Sequence, residues 1–154
     1  MSFNIELARR ADIPRLAELL SDLFGVELDF TADASRQVRG LELLIADDET
    51  AGRHIVAVAR DDGGQAIGMA SAQLVVSTAE GALSAWIEDV VVHQDYRRQG
   101  IGKRLLDHLV GWAKAQGATR VQLVADQENA AADLFYKALG WQSTQLVVRR
   151  RPTE

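Results

Sequence analysis

The stretch WIEDVVVHQDYRRQGIGKRLL, Trp86 to Leu106, decides the fold. Its first part is almost unbroken apolar sequence, the mark of a strand covered on both faces. From Ile101 the pattern changes: Ile101, Leu105, Leu109, Trp112 and Ala113 recur at helical spacing as far as Gly117, which closes the helix. Between strand and helix lies a turn with Gly100 and Gly102. The first amides of a helix have no partner inside it. Glycines there permit positive φ and remove the Cβ atoms that would hold an anion away from the backbone. The helix dipole favours negative charge at that end by ~0.3–1 kcal/mol, or ~2 kcal/mol when partly buried. Arg97, Arg98, Lys103 and Arg104 add local positive charge to a chain of net charge −5, so the turn points to a phosphate-bearing ligand.

Two common phosphate loops do not fit. A Walker A loop requires glycine where Arg97 stands and Ser or Thr where Arg104 stands. A dinucleotide fingerprint requires Gly or Ala where Leu105 stands. A plain glycine turn with solvated arginines is the structural reading of the same residues.

Outward from this segment, the rest of the chain reads as one domain. At 154 residues it can bury roughly 70% of its unfolded surface. Its 47% hydrophobic and 25% charged residues are ordinary globular usage, and no repeat is evident. FNIELA alternates as a half-buried strand, followed by Asp12 as a predicted helix N-cap and a helix carrying Ile13, Leu16, Leu20, Leu23 and Phe24 up to Gly25. A second helix is predicted around ADASRQVRGLELLIAD. Asp62-Gly63-Gly64 marks a hairpin turn between two β runs. After Gly117, RVQLVA reads as a strand, NAAADLFYKAL as a helix closed by Gly140, and STQLVVRR as a last strand. The predicted order is β-α-α-β-β-β-α-β-α-β, a mixed α/β domain over residues 1–154, with a right-handed crossover from Trp86 to Ala125.

Composition removes several function classes. With no cysteine, disulfides, thiolate metal sites and a cysteine acyl-enzyme are excluded. His54, His93 and His108 lack metal-ligand spacing, so no metal is expected and each histidine reads as structural or surface. A net charge of −5 opposes general affinity for nucleic acid, and Arg149, Arg150 and Arg151 read as a solvated strand end. No apolar run approaches the ~20 residues of a membrane span, and the start lacks a signal-peptide core. A cytoplasmic protein is expected.

Arg97-Arg98-Gln99-Gly100-Ile101-Gly102 resembles the acyl-CoA pyrophosphate motif of the GNAT superfamily of N-acetyltransferases: Gln or Arg, two variable residues, Gly, one variable residue, then Gly or Ala. Around it the strand, turn and helix look like the family's central segment. ADQENAAADLFYKALGW looks like its later signature, and LARRADIPRLAELL like its opening. Residues 26–80 are the least diagnostic. The resemblance implies a central, mostly antiparallel twisted sheet flanked by helices and acetyl-CoA as acyl donor. It further implies main-chain contacts from Val90 and Val92 to the pantetheine arm and thioester, and a pyrophosphate cradle from Arg97, Arg98, Gln99, Gly100, Ile101, Gly102 and Lys103. Asn129 matches the Asn that contacts the cofactor, and Tyr136 the Tyr beside the leaving sulfur. Glu88-Asp89 is similar to the Glu-Asp of the spermidine/spermine N-acetyltransferase subset, where the Glu is the proposed base. Homodimers are also expected, given the edge of the terminal strand.

The chemistry has a use for these groups. An amine acceptor with a lysine-like pKa of ~10.4 is protonated at neutral pH and must lose a proton before attack. A carboxylate can take that proton directly or through water, which makes Glu88 the candidate base. Regular alternation would put Glu88 on one face with Val90 and Val92, and Asp89 opposite. An ion pair or a solvated strand end is the structural alternative for Glu88. Tyr136, with a reference pKa near ~10 against ~8.5 for a thiol, can donate to the departing thiolate; a core aromatic is its alternative, and an N-cap is that of Asn129. With no Cys and no serine elbow, direct transfer in a ternary complex is favoured over an acyl-enzyme. Glu27, Asp29, Asp33, Asp47, Asp48 and Glu49 make the stretch before the hairpin acidic, as suits a small cationic amine. A catalytically silent acyl-CoA sensor or regulatory module is the alternative function.

Overall fold

The computed structural model describes residues 2–26, 32–46 and 52–154. It divides into two compact units, residues 1–124 and 125–154. In the first, β1 (Phe3–Leu7) is followed by α1 (Ile13–Val26), α2 (Ala34–Leu44), β2 (His54–Asp61), β3 (Ala66–Ser77), β4 (Ala82–Val92), α3 (Ile101–Ala115) and β5 (Ala118–Leu123). The second contains α4 (Ala130–Ala138). The sheet order is β1-β2-β3-β4-β5, antiparallel except for the β4–β5 pair. This is the expected mixed sheet, and the predicted order holds through α4.

The last predicted strand is not formed. Residues 141–154 carry no regular secondary structure, and Leu146, Val147 and Val148 are 81%, 64% and 60% exposed. The apolar run that suggested a strand has no strand partner within the described residues, and β propensity alone does not order a strand.

Each face of the sheet is covered by helices whose apolar stripes fit it. On one face Ile13, Leu16, Ala17, Leu19 and Leu20 of α1 and Leu41 of α2 form a core with Val56, Val58, Met69 and Val91. On the other, Ile101, Leu105, Leu106, Leu109 and Ala113 of α3 are buried. Gly68 lets α3 come close: a Cβ built there would meet the Val91 carbonyl oxygen at 3.1 Å, Ile101 Cγ2 at 3.3 Å and Leu105 Cδ1 at 3.4 Å. The hairpin turn forms as predicted, with Asp61 Oδ1 accepting from the amides of Gly63 and Gln65 and Gly64 at φ 85°.

Polar groups fix the first helices. Asp12 is not a simple N-cap: it ends a 3-10 turn, Arg10–Asp12, that runs straight into α1. Its carboxylate accepts from the Arg9 amide at 2.7 Å and from both terminal nitrogens of Arg60 at 2.8 and 2.7 Å. Arg60, its side chain only 7% exposed, also donates from Nε to Glu6 at 2.7 Å. A buried guanidinium demands carboxylate partners, and this overrides the local capping role. Gly25 likewise does not end α1, which continues to Val26. Buried Gln37 joins α2 to α1, donating to the Ala17 carbonyl at 2.6 Å and Ser21 Oγ at 2.9 Å. Asp33 caps α2 by accepting from the amides of Ser35 and Arg36.

The hydrogen bond from Arg60 holds the Asp12 carboxyl below its ordinary value of 3.8, against the effect of its burial. A depressed carboxyl contributes stability that is complete above the unfolded value and is lost as pH falls through the folded one. Urea unfolding of Asp12→Asn should therefore show a deficit at pH 7 that shrinks below about pH 4. Arg60→Met, which strands Asp12, should cost about 3 kcal/mol at pH 7. A pH-independent deficit for Asp12→Asn would assign its effect to packing instead.

Candidate functional site

Strand β4 is irregular where the site begins. Ser71 pairs with Glu88 and Met69 with Val91, so one residue of β3 faces two of β4. Asp89 takes up the extra length at φ 59°, a conformation Asp tolerates better than most side chains. This bulge overturns the alternation expected from sequence. Glu88 shares its face with Ser71, Met69 and Val91, the face under α1, whereas Val92 pairs with Gly68 on the α3 face. Val90 and Val92 thus lie opposite Glu88 rather than beside it. Glu88 is exposed, and its carbonyl accepts from Ser71 Oγ at 3.1 Å.

Beyond Ile87, β4 also loses its other neighbour. The parallel register ends at Ile87 opposite Leu123, while β4 continues to Val92. Among the described residues no strand is in register with β4 on that side past Ile87, next to the turn. The Val92 carbonyl already accepts from Arg97 Nε at 3.2 Å.

Of the two turn glycines expected to permit positive φ, Gly100 has it and Gly102 does not, lying already within α3. A 3-10 turn, Gln94–Tyr96, is fixed by His93, whose Nδ1 accepts from the Asp95 amide at 3.2 Å. Arg98 at φ 62° and Gly100 at φ 81° reverse the chain into α3. Gly100 stands at the helix N-cap with no side-chain cap, and the first helical bond runs from the Arg104 amide to the Gly100 carbonyl at 3.1 Å. Among the described residues, the amides of Arg97, Arg98, Gln99, Gly100, Ile101, Gly102 and Lys103 donate to no protein acceptor. Arg97 to Gly100 are exposed, so an anion can reach them.

The positive field is smaller than the sequence suggests. Lys103 Nζ pairs with Asp107, one turn along α3. The Arg104 guanidinium sits 4.6 Å above the Phe3 ring, a cation–π contact with β1. Arg97 and Arg98 remain at the turn, and the backbone amides carry most of the anion-holding capacity.

Asn129 and Tyr136 lie in the second unit. Asn129 is the N-cap of α4, accepting from the Ala132 amide at 3.1 Å. The Tyr136 ring meets Phe135 and Trp141 edge-on at 5.1 and 6.2 Å, and Gly140 closes the helix at φ 88°. The N-cap alternative weighed for Asn129 is therefore present, whereas Tyr136 is half-buried rather than a core aromatic. Of the acidic stretch, Asp33 is engaged in capping α2, while Glu27, Asp29, Asp47, Asp48 and Glu49 fall outside the described residues. Among the described residues no three His, Cys, Asp or Glu side chains form a metal-binding group. No helix there is long and apolar enough to cross a membrane.

One group of polar side chains beside the site escapes sequence reasoning. His54, Gln73, Trp86 and Gln122 occupy one row across β2, β3, β4 and β5. The only signal for them in sequence is the hairpin register: a turn at Asp62–Gly64 places His54 near Gln73.

Comparisons with known proteins agree with this geometry. The profile of the Acetyltransferase (GNAT) family matches residues 13–141. A [ribosomal protein bS18]-alanine N-acetyltransferase of Escherichia coli (strain K12) is 33% identical over 69 residues, 45% of this chain and 47% of the relative. An aminoglycoside N(6')-acetyltransferase type 1 of Acinetobacter genomosp. 13 is 32% identical over 94 residues, 59% of this chain and 64% of the relative. These matches span about half to two thirds of the relatives' length. The solved structure of aminoglycoside N-acetyltransferase AAC(6')-Iy in complex with CoA superposes with a TM-score of 0.81 at 19% identity, over 99% of this chain and 95% of that one, a likeness of fold. The unpartnered turn amides, the stretch of β4 beside them with no strand in register and the family profile over most of its length agree: this chain belongs to the GNAT family of acetyltransferases.

Proposed function

We propose that the protein is an N-acetyltransferase that moves the acetyl group of acetyl-CoA to a primary amine of a small cationic molecule, by direct attack in a ternary complex within a single domain. The observation that carries the reading is the run of amides from Arg97 to Lys103, through the turn and into the start of α3, that make no well-formed hydrogen bond to an acceptor among the described residues. Such a run suits the pyrophosphate of CoA, and the stretch of β4 past Ile87, with no strand in register beside it among the described residues, suits the amide-bearing pantetheine arm. Val90 and Val92 offer main-chain groups to that arm, the Val92 carbonyl sharing its capacity with Arg97. CoA in the AAC(6')-Iy complex supports the choice of donor.

The chemistry follows from the acceptor's charge. Glu88 removes a proton from the ammonium, directly or through water. The freed amine then bonds to the thioester carbonyl carbon, the carbon–sulfur bond breaks, Tyr136 gives the sulfur its proton, and the second proton shed by the new amide nitrogen passes through water back to the tyrosinate. The exposure of Glu88 supports its role, because an acceptor or a water can reach it. The aminoglycoside acetyltransferase relative supports a small cationic acceptor, and the ribosomal-protein alanine acetyltransferase makes a peptide N-terminus the competing class. Absence of cysteine is consistent with a cytoplasmic site of action, and the exposed run Leu146–Val148 is apolar surface that a homodimer could cover.

Thiol release from acetyl-CoA across polyamines, amino sugars, amino acids and peptides tests this reading. Tyr136→Phe should slow turnover by ~10²–10⁴-fold while leaving CoA affinity intact. A native protein that binds CoA yet releases no thiol with any amine would be a sensor. Gly100→Ala places a Cβ in the left-handed region, at a cost of ~1–2 kcal/mol, and should weaken CoA binding by calorimetry although the space around it is open.

A further inference from the structure

On the α1 face the sheet changes character row by row. Val58, Met69 and Val91 form an apolar row inside the core. The next row is Val56, Ser71 and Glu88, and the one beyond it is His54, Gln73, Trp86 and Gln122. With strands ~4.8 Å apart, this last row spans roughly 14–15 Å. All four of its side chains are half-buried. His54 Nδ1 is shielded from solvent without a hydrogen-bond partner. Among the described residues, the amides of Gln73 and Gln122 and the indole N–H of Trp86 form no hydrogen bond either. His54 Nδ1 is thus the buried atom of the row without a partner, while the two amides and the indole N–H reach solvent, so the row can exchange water for the polar groups of a ligand.

The combination selects a chemistry. Two primary amides offer donors and acceptors together, the imidazole one of either kind, and the indole a donor beside a flat apolar face. A hydroxylated ring uses all of these: its hydroxyls pair with the amides and the imidazole, and its C–H face lies on the indole. An aliphatic polyamine has no acceptors for the N–H groups. An extended peptide is held through its main chain at a strand edge, whereas this row lies on the face of the sheet. One row away on the same face, Glu88 can take the cation of such a ligand.

We propose that His54, Gln73, Trp86 and Gln122 form the acceptor-recognition subsite and that the acceptor is an amino sugar, a hydroxylated ring carrying a primary amine. The proposal rests on the acetyl-transfer reading for its purpose, but its binding claim stands separately. The test is calorimetry on the full chain with CoA present, titrating glucosamine, kanamycin, spermidine and an alanine-led tripeptide, with thiol release from acetyl-CoA measured for the same four. The native protein should bind at least one amino sugar more tightly than spermidine or the tripeptide. Gln73→Leu and Trp86→Leu should each weaken that binding about tenfold or more while leaving CoA affinity unchanged. If Trp86→Leu fails to fold, Trp86→Phe and Gln122→Leu take its place. Native protein that binds neither amino sugar, or prefers spermidine or the tripeptide, overturns the proposal, as do variants that bind like the native protein. Row-dependent amino-sugar binding without thiol release would support the subsite and sink acetyl transfer. Thiol release with a peptide, untouched by the row variants, would do the reverse.

Discussion

Between Glu88 and Val91, strand β4 has two residues where β3 has one, and Asp89 absorbs the surplus by turning into the left-handed region. Much of the candidate site depends on that constraint. Without the extra residue, Val91 would leave the core it shares with Met69 and α1, because a one-residue slip exchanges the faces of a strand. With it, Glu88 stays on the α1 face while Val92 meets Gly68 on the α3 face. The main chain thus bends where β5 also lets go of β4, and the turn into α3 starts from that bend.

The anion-holding capacity arises from backbone rather than from charged side chains. Three of the four basic residues around the turn have protein partners: Arg97 the Val92 carbonyl, Lys103 an aspartate, Arg104 an aromatic ring. Amide donors fixed by a turn pay no side-chain entropy on meeting a ligand, and their geometry is set before binding. The Arg104 contact with Phe3 ties the start of α3 to β1 at the far edge of the sheet, so the helix that presents the amides is anchored at its basic face.

The strand–turn–helix unit was legible because each part has its own local cause: an apolar run, two glycines, and a 3.6-residue stripe. The hairpin turn was legible for the same reason. Asp89 was not, since alternation assumes a regular strand, and the only local hint is an Asp, a residue tolerant of positive φ, inside an apolar run. Asp12 was misread because a local capping signal looked sufficient, when a buried arginine 48 residues away claims its carboxylate. The final strand was misread because propensity does not supply a partner. The row of His54, Gln73, Trp86 and Gln122 becomes visible only when four strands are placed in register, since no two of its members are close in sequence.

Gly68 acts as a spacer of fixed thickness. The gap it leaves between the sheet and α3 is closed by the Val91 carbonyl on one side and by Ile101 and Leu105 on the other. Ile101 is the first residue of the helix and follows directly on Gly100. A methyl group at position 68 would therefore press on the first turn of α3, directly after the turn at Arg97–Gly100. A larger side chain at position 68 would have to displace either the Val91 carbonyl or the Ile101 and Leu105 side chains, so strand, turn and helix would shift together.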